Sequence, residues 1–343
     1  MIEGACAEEE AVKVVGLVKE VRGKRGERLR VLDNVNLKAP AGARVAVIGP
    51  SGCGKTVLFK VLSTIYAPDR GEVKVLGLDV VKQAGKVRRL VSFVSPSLGF
   101  HKKMSLDETL KFLSKVQGSN PEVAYRFLDF IKMDGLRERM IEGFSAGQLA
   151  AVRLAVGLMK QPKLLLLDEP TANLDVARKE LVVEYLSRNV GDATMMIVDH
   201  DPKVVNRLCN QAVLMQAGGR VVKTCDYQSL LKSFPFKYRF NLKVYSGPRL
   251  SKDAISKLGY PFQVMGNVVR FLLSSKEELK GLVEKLIDKK GLLSFEVSSI
   301  SMEDIYYWMS QQVNEAAPSV AEPLVGKAAA TACNSKDAKS PPA

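Results

Sequence analysis

Residues 49–56 combine glycines with one lysine and one threonine in a spacing that suits phosphate binding. They match the pattern G-x-x-x-x-G-K-[ST] in full and are Gly49, Pro50, Ser51, Gly52, Cys53, Gly54, Lys55 and Thr56. Glycines let backbone N–H groups turn inward around phosphate oxygens, and a helix start adds a partial positive charge. We expect the Lys55 ammonium to reach the β- and γ-phosphates of a nucleotide and the Thr56 hydroxyl to bind Mg²⁺.

The neighbours of this loop agree with that interpretation. An apolar run from Ala43 to Ile48 predicts a strand before it, and a helix is predicted from Lys55 to about Ser63. A glycine-rich turn without a ligand is the alternative, and the flanking elements make it the weaker one. Cys53, next to the helix start, could have a lowered thiol pKa, although a small side chain that fills the loop is the simpler interpretation.

A second stretch with chemical potential is the pair Asp168 and Glu169, which follows the apolar run Leu164–Leu167. We expect Asp168 to hold Mg²⁺ through water and Glu169 to polarise an attacking water as general base. The alternative is a strand end whose acids are merely solvated. The complete phosphate loop upstream and residues 170–175 downstream favour the catalytic interpretation.

The elements that must position these residues alternate between strands and helices, which predicts a parallel sheet covered on both faces. Predicted strands cover residues 12–18, 43–48, 72–76, 163–167, 193–198 and 212–215. The basic stretch from Lys19 to Arg30 is predicted to be an exposed turn that leads to a second strand. From about Met104 to Leu158 the pattern is helical.

On these motifs the chain resembles the ATP-binding-cassette (ABC) ATPases. Residues 168–171 followed by 173–175 resemble the Walker B strand and the D-loop with its aspartate, here Asp175. Residues 144–148 resemble the signature L-S-G-G-Q, and residues 197–201 resemble the switch strand with its histidine, His200. Order and spacing agree over roughly residues 12 to 225.

The resemblance implies an α/β fold: a P-loop NTPase cassette with a RecA-like core over residues 11–230 and a helical subdomain at about 97–158. It implies hydrolysis of ATP to ADP and phosphate, with ATP and Mg²⁺ as cofactors. His200 would contact the γ-phosphate, whereas an isolated histidine is otherwise usually structural.

In the family, the signature segment of one subunit meets the γ-phosphate bound by a second subunit, so that two ATPs lie between two chains. The corresponding residues here are Ser145, Ala146, Gly147 and Gln148. Ala146 replaces a glycine and adds only a methyl group. Without the resemblance, Ser145 could simply be a helix N-cap.

Two positions depart from the family pattern. Pro96 falls where the family has a glutamine that binds Mg²⁺ and the attacking water, and Ser95 or Ser97 could substitute only through water. Val21 falls where an aromatic residue stacks on adenine, and Arg22 or Arg30 could stack instead. The first departure puts the turnover rate in question, and the second puts base selectivity in question.

Residues 236–312 are predicted to form a separate α+β accessory domain. Residues 301–306, Ser-Met-Glu-Asp-Ile-Tyr, resemble the S-L-E-D-x-F ending of accessory domains in export subunits for drugs, lipids and polysaccharides. An ordinary amphipathic terminal helix is the alternative. Residues 313–343 are predicted to be disordered because they offer little apolar surface to bury.

The overall composition is that of an ordinary globular protein of 343 residues, with 46% apolar residues, 26% charged residues and a net charge of +14. No apolar run approaches the ~20 residues that span a bilayer, and the acidic N-terminus does not resemble a signal peptide. The five cysteines are scattered along the chain and odd in number, which favours a reducing cytoplasm. The net charge suits an anionic membrane face, although a solvated surface explains it equally well.

These observations lead to one main hypothesis, a transport-coupled ATPase subunit, resembling exporters, that is peripheral on the inner face of the cell membrane. Its predicted partners are a separate transmembrane permease and a second ABC subunit, identical or different, and no nucleic acid is expected. A slow or regulatory cassette without the glutamine is one alternative. A non-membrane ABC ATPase is the other.

Overall fold

The computed structural model describes residues 10–23, 26–244, 255–287, 292–300 and 304–305. These residues form three β-sheets of four, six and four strands. Among the described residues, none of the helices combines the length and the apolar character that crossing a lipid bilayer requires.

The strands are numbered in chain order. They are β1 Glu10–Arg22, β2 Arg28–Pro40, β3 Arg44–Ile48, β4 Arg70–Val75, β5 Leu78–Asp79, β6 Val91–Val94, β7 Leu164–Asp168, β8 Thr194–Val198, β9 Gln211–Gln216, β10 Arg220–Asp226, β11 Tyr238–Val244, β12 Phe262–Met265, β13 Val268–Leu273 and β14 Leu292–Ser299. The helices are α1 Lys55–Leu62, α2 Ala84–Leu90, α3 Leu106–Gln117, α4 Glu122–Phe130, α5 Ala146–Met159, α6 Val176–Asn189, α7 Pro202–Leu208, α8 Tyr227–Ser233 and α9 Lys276–Ile287.

The six-stranded sheet has the order β10-β9-β3-β8-β7-β6 and is the centre of the cassette. Its strands run parallel except β10, which pairs antiparallel with β9 at the edge. All five residues of β7 are buried, as expected for a parallel strand covered on both faces. The predicted α/β cassette fold is therefore confirmed, and β3, β8 and β7 lie side by side.

The N-terminal strands do not join that sheet, and here the prediction of a single parallel sheet was incomplete. They form a second, antiparallel sheet of order β2-β1-β4-β5. The predicted turn from Lys19 to Arg30 was too long, because β1 and β2 stay paired as far as Arg22 and Arg28. Cross-strand ion pairs between Glu20 and the arginines at 28 and 30 lie on this exposed part of the hairpin.

The helical stretch contains α3, α4 and α5. Ser105 starts α3 with a capping box, in which its hydroxyl accepts from the Glu108 N–H and the Glu108 carboxylate accepts from the Ser105 N–H. Helix α5 is buried along much of its length, and its residue Gly157 packs directly on β6. This contact ties the helical stretch to the sheet strand that precedes Pro96.

The C-terminal residues form the third sheet, of order β12-β13-β11-β14, with its own apolar cluster around Phe240 and Phe271. Leu272 and Ile305 belong instead to the apolar cluster of the cassette. Residues 301–306, which resemble the ending of accessory domains, lie outside the described residues except for 304–305, and the predicted disordered tail at 313–343 lies outside them entirely. The domain boundaries proposed from the sequence stay a prediction.

The contact between α5 and β6 generates a stability prediction. A Cβ added at Gly157 would lie 2.3 Å from Cγ2 of Val94, whose branched side chain has little freedom to move. We expect Gly157→Ala to lower the free energy of unfolding by about 1–3 kcal/mol through overpacking. Gly85→Ala, in α2 with nothing within 4 Å of the new Cβ, is the control and should raise stability by up to about 1 kcal/mol. Urea unfolding midpoints measure both changes, and equal midpoints for the two variants would contradict the prediction.

Candidate functional site

The phosphate loop connects β3 to α1, as the sequence predicted. Gly54 precedes the helix with a φ of 100°, a conformation that favours glycine. The Lys55 ammonium donates hydrogen bonds to the carbonyl oxygens of Gly49 (2.7 Å) and Pro50 (2.9 Å). The loop therefore folds over the lysine, and its ammonium lies within the loop where a phosphate would be held.

Thr56 and Asp168 meet across 112 positions of sequence. The Thr56 hydroxyl donates to Oδ2 of Asp168 at 2.7 Å. Burial raises the pKa of the Asp168 carboxyl, an effect that this hydrogen bond and the ammonium of Lys55 partly offset. One hydroxyl and one carboxylate are a donor set that suits Mg²⁺, which usually takes one or two carboxylates together with nucleotide phosphates. Thr56 and Asp168 therefore fit the Mg²⁺ ion that accompanies a bound nucleotide.

Glu169 and His200 face each other near Thr56 and Asp168, and the Glu169 Oε1 and His200 Nε2 atoms are 3.3 Å apart. Glu169 has a φ of 51°, a left-handed backbone conformation that is uncommon for a residue with a side chain. Its N–H donates to the carbonyl of Val198, the last residue of β8. This backbone bond joins the end of β7 to the segment that carries His200.

These groups surround one cavity of about 310 Å³. Its lining combines the phosphate loop with both acids and the histidine; it includes Ser51, Gly52, Gly54, Lys55, Thr56, Asp168, Glu169 and His200. The structure thus brings together the predicted phosphate, metal and catalytic residues from three parallel strands. The arrangement supplies a cation, a metal-binding pair, a base and an imidazole around one space.

Three residues beside this cavity, Thr171, Asp199 and Asp201, were not singled out from the sequence. The Thr171 hydroxyl donates to Oδ2 of Asp199 at 2.7 Å, and Oδ1 of Asp199 accepts from the Asp201 N–H. Burial raises the pKa of Asp199. The Asp201 carboxylate caps α7 by accepting from the Lys203 N–H. Asp199 and Asp201 thus shape the turn on which His200 lies, and their only sequence signal was their position around the histidine.

The residues that resemble the family signature lie at the start of α5. Ser145 caps α5 through a capping box with Gln148, and Gly147 lies so close to the loop after β7 that an added Cβ would be 2.4 Å from the carbonyl oxygen of Asn173. Among the described residues that line the phosphate cavity, none comes from residues 144–148. Asp175 caps α6, and the backbone N–H of Arg178 holds the pKa of its carboxyl below its ordinary value. The capping interpretation of Ser145 and the signature interpretation are therefore compatible.

The structure shows what surrounds Pro96, the first position that departs from the family pattern. Pro96 lines a cavity of about 20 Å³ together with Asp168 and Glu169, and the hydroxyls of Ser95 and Ser97 hydrogen-bond each other at 2.9 Å. The Arg153 side chain of α5 donates to the carbonyl of Leu98. No side chain of glutamine length extends from residues 95–97 toward Glu169.

At the other departure, Val21 pairs with Leu29 within the β1–β2 hairpin. The Arg30 guanidinium forms ion pairs with Glu20 and Asp33. The possibility of a lowered thiol pKa at Cys53 was wrong, since burial raises the pKa of this thiol. Cys53 is a buried side chain that fills the loop.

Comparison with known proteins identifies the relatives of this chain. A profile of the family described as ABC transporter matches residues 32–172. An Fe(3+) ions import ATP-binding protein of Pasteurella multocida is 28% identical over 270 residues, which cover 76% of each chain. A sulfate/thiosulfate import ATP-binding protein of Pseudomonas putida is 32% identical, and the alignment covers 58% of this chain and 64% of that relative, less than two thirds of its length.

Solved structures show the same fold. A dimeric ATP-binding cassette in a post-hydrolysis state, bound to ADP and Pi, aligns with a TM-score of 0.57 at 22% identity and covers 63% of this chain and 98% of that chain. A bacterial Atm1-family ABC exporter with ATP bound aligns with a TM-score of 0.57 at 18% identity, covering 65% of this chain and 40% of that one.

The fold is that of the P-loop ATPase domains called ATP-binding cassettes. Residues 32–172 are similar to the ABC transporter family, and the cassettes of that family are transport-coupled ATPases that bind ATP with Mg²⁺. The first two relatives are named as import proteins, so the sequence-based resemblance to export subunits is not supported by them.

The burial of Asp168 generates a pH prediction. Its carboxyl must lose a proton to bind Mg²⁺, and its pKa is raised above the ordinary 3.8. We therefore expect the Mg²⁺-dependent part of ATP affinity to weaken as the pH falls toward this raised pKa, at a higher pH than an exposed aspartate would require. Titration of a fluorescent ATP analogue, with and without Mg²⁺ over a pH series, measures it.

Asp168→Asn is the matched control, because an amide carries no titrating proton. This variant should bind Mg²⁺-nucleotide weakly at every pH, once the pH dependence of Mg²⁺ binding to the free nucleotide is subtracted. A wild-type pH profile that coincides with that of Asp168→Asn would contradict the assignment.

Proposed function

We propose that this chain is the ATP-hydrolysing subunit of an ABC transporter. Hydrolysis takes place in the cavity that Lys55, Thr56, Asp168, Glu169 and His200 share. The observation that carries the proposal is the meeting of these five side chains from the ends of β3, β7 and β8 around about 310 Å³. A cationic side chain, two side chains that can bind Mg²⁺ and a general base in one place are the parts that phosphoryl transfer to water requires.

In this proposal each side chain has one task. Lys55 exchanges its bonds to the Gly49 and Pro50 carbonyls for bonds to the β- and γ-phosphates, and so neutralises charge there. Thr56 and Asp168 hold Mg²⁺, which when bound supplies positive charge to the phosphate oxygens. Glu169 accepts a proton from the attacking water, and His200 orients the γ-phosphate beside it.

A second cassette completes the proposed site. Ser145 and the N–H groups at the start of α5 lie outside the phosphate cavity of their own chain, and a helix N-terminus favours an anion. We therefore assign residues 145–148 to the γ-phosphate held by a partner subunit, identical or related, with Asp175 at the contact between the two chains. ATP would bring the subunits together, and hydrolysis would release them.

Transport requires a membrane partner in this proposal. None of the described helices could span a bilayer, so the channel would be a separate permease that docks near residues 95–101, between the helical stretch and the sheet. The chain would then lie on the inner face of the membrane. For the direction of transport, the names of the first two relatives favour import, whereas the Ser-Met-Glu-Asp segment at 301–304 is the feature behind the export hypothesis.

A slow or regulatory cassette is the second candidate, and one observation favours it. Pro96 lies beside Asp168 and Glu169, and the neighbouring serine hydroxyls are engaged with each other. The attacking water would then lack the amide that the family supplies, and turnover would be low while ATP binding is retained. A measurable rate of phosphate release by the wild-type protein separates the two candidates.

Lys55→Ala tests the phosphate grip. Removing the ammonium leaves the phosphate charge unneutralised, so we expect ATP affinity to fall by at least about tenfold and nucleotide-driven dimerisation to disappear. Filter binding and analytical ultracentrifugation measure the two effects. Lys86→Ala, which removes an exposed lysine from α2, is the control and should match the wild type; unchanged ATP affinity in Lys55→Ala would refute the assigned role.

Glu169→Gln tests the general base. The amide has the same shape but cannot accept the proton, so we expect hydrolysis to fall by about 10²–10⁴-fold while ATP binding is retained and an ATP-bound dimer accumulates. Steady-state phosphate release and gel filtration with ATP measure this. Glu138→Gln, an exposed glutamate in the helical stretch, controls for loss of charge. Wild-type phosphate release no higher than that of Glu169→Gln would favour the regulatory candidate.

A further inference from the structure

The C-terminal sheet contains a buried carboxylate held by two arginines. Asp304 has a fully buried side chain, and its Oδ1 and Oδ2 face Arg270 Nη1 at 3.0 Å and Arg239 Nη1 at 3.4 Å. Arg239 and Arg270 lie on adjacent strands, β11 and β13, and are themselves mostly buried. A buried charge is stable only when it is paired, so this contact fixes residue 304 to one face of the sheet.

That face is the polar side of the C-terminal sheet. Apolar residues such as Phe240 and Phe271 alternate with the arginines and fill the cluster on the opposite side. On the polar face, Arg239 Nε donates to the hydroxyl of Ser298 at 3.0 Å and Arg270 Nε donates to the side-chain oxygen of Asn241 at 3.2 Å. The two arginines thus join three strands to Asp304.

The same face meets the cassette next to the catalytic segment. Leu272 and Ile305, the latter directly after Asp304, belong to the apolar cluster that includes Val204 and Val205 of α7. Helix α7 begins at Pro202, capped by Asp201. Ile305 and the two valines of α7 thus belong to one continuous apolar core, and α7 begins directly after the turn that bears His200.

A cavity of about 510 Å³ lies between the two parts. His200, Asp201 and Lys179 line it from the cassette side, and Arg239, Ser298 and Ser299 line it from the C-terminal sheet. Arg239, which Asp304 and Ser298 hold in place, therefore forms part of the wall that faces the turn at 199–201.

We propose that Asp304 is a positioning residue for His200: by clamping Arg239 and Arg270 it holds the C-terminal sheet beside the turn at residues 199–201, across the cavity that both line, and so fixes that turn. The role of His200 in ATP hydrolysis rests on the proposed function, whereas the mechanical link does not. The clamp gives Asp304, the last residue of the Ser-Met-Glu-Asp segment, a physical task, and it makes this residue a determinant of turnover.

Asp304→Asn in the full-length protein tests the clamp. We expect the amide hydrogen exchange of residues 199–208 to rise by about tenfold as the turn opens locally. We expect kcat for ATP hydrolysis to fall by about tenfold or more, because misplacement of a catalytic group slows chemistry. The KM for ATP should change by less than about twofold, since the phosphate loop and its exchange rates are unaffected. Glu296→Gln, an exposed carboxylate on β14, is the matched control and should leave every quantity unchanged.

A milder pair of variants covers the case in which Asp304→Asn unfolds the C-terminal sheet. Ser298→Ala removes only the bond to Arg239, and Ser294→Ala removes an exposed hydroxyl from the same strand. Ser298→Ala should raise exchange at 199–208 and lower kcat in the same direction by a smaller factor, and Ser294→Ala should do neither.

The exchange measurement decides the proposal even if the wild-type protein does not hydrolyse ATP. Faster exchange in β11 and β14 with unchanged exchange at 199–208 would overturn the clamp. So would a KM that rises as much as kcat falls, because the effect would then lie in nucleotide binding and not in the position of His200.

Discussion

The parallel pairing of β3, β8 and β7 is the constraint on which the rest of the site depends. Parallel strands end at the same edge of a sheet, so the loops that follow these three strands must meet there. Residues that are 112 positions apart thereby come within hydrogen-bonding distance, as Thr56 and Asp168 do. The pairing is secured by side chains that are almost fully buried, such as the four leucines of β7, each of which contributes about 1.5–3 kcal/mol when it leaves water.

This arrangement has an energetic cost, and its location is informative. Burial raises the pKa values of Asp168 and Asp199, so the fold disfavours the charges that the site uses. Glu169 takes a left-handed backbone conformation, which costs on the order of 1–3 kcal/mol. Asp168 and Glu169 line the phosphate cavity, Asp199 lines the neighbouring cavity of about 510 Å³, and the buried sheet core beneath them compensates for these costs. Binding of Mg²⁺ would in turn offset the negative charge of the buried Asp168 carboxylate.

The C-terminal sheet relates to this core in a different way. It has its own apolar cluster, yet Leu272 and Ile305 add to the cluster of the cassette. The buried group made by Asp304, Arg239 and Arg270 is polar and directional, so it specifies one arrangement of the strands more strictly than apolar packing alone would. The C-terminal sheet also contributes Arg239, Ser298 and Ser299 to the cavity that His200 lines from the other side.

The sequence by itself determined the phosphate loop, the acid pair, the histidine and the cassette fold, because each depends on residue types at short, fixed spacing. Local pattern also predicted most strands of the parallel sheet, since buried strands are continuous apolar runs. Only the tertiary structure decided that the first strands form a separate antiparallel sheet, that Thr171 and Asp199 brace the histidine turn, and that Asp304 is buried between two arginines. These features are contacts between residues far apart in the chain, and no local spacing encodes which distant partner a strand or a charge will meet.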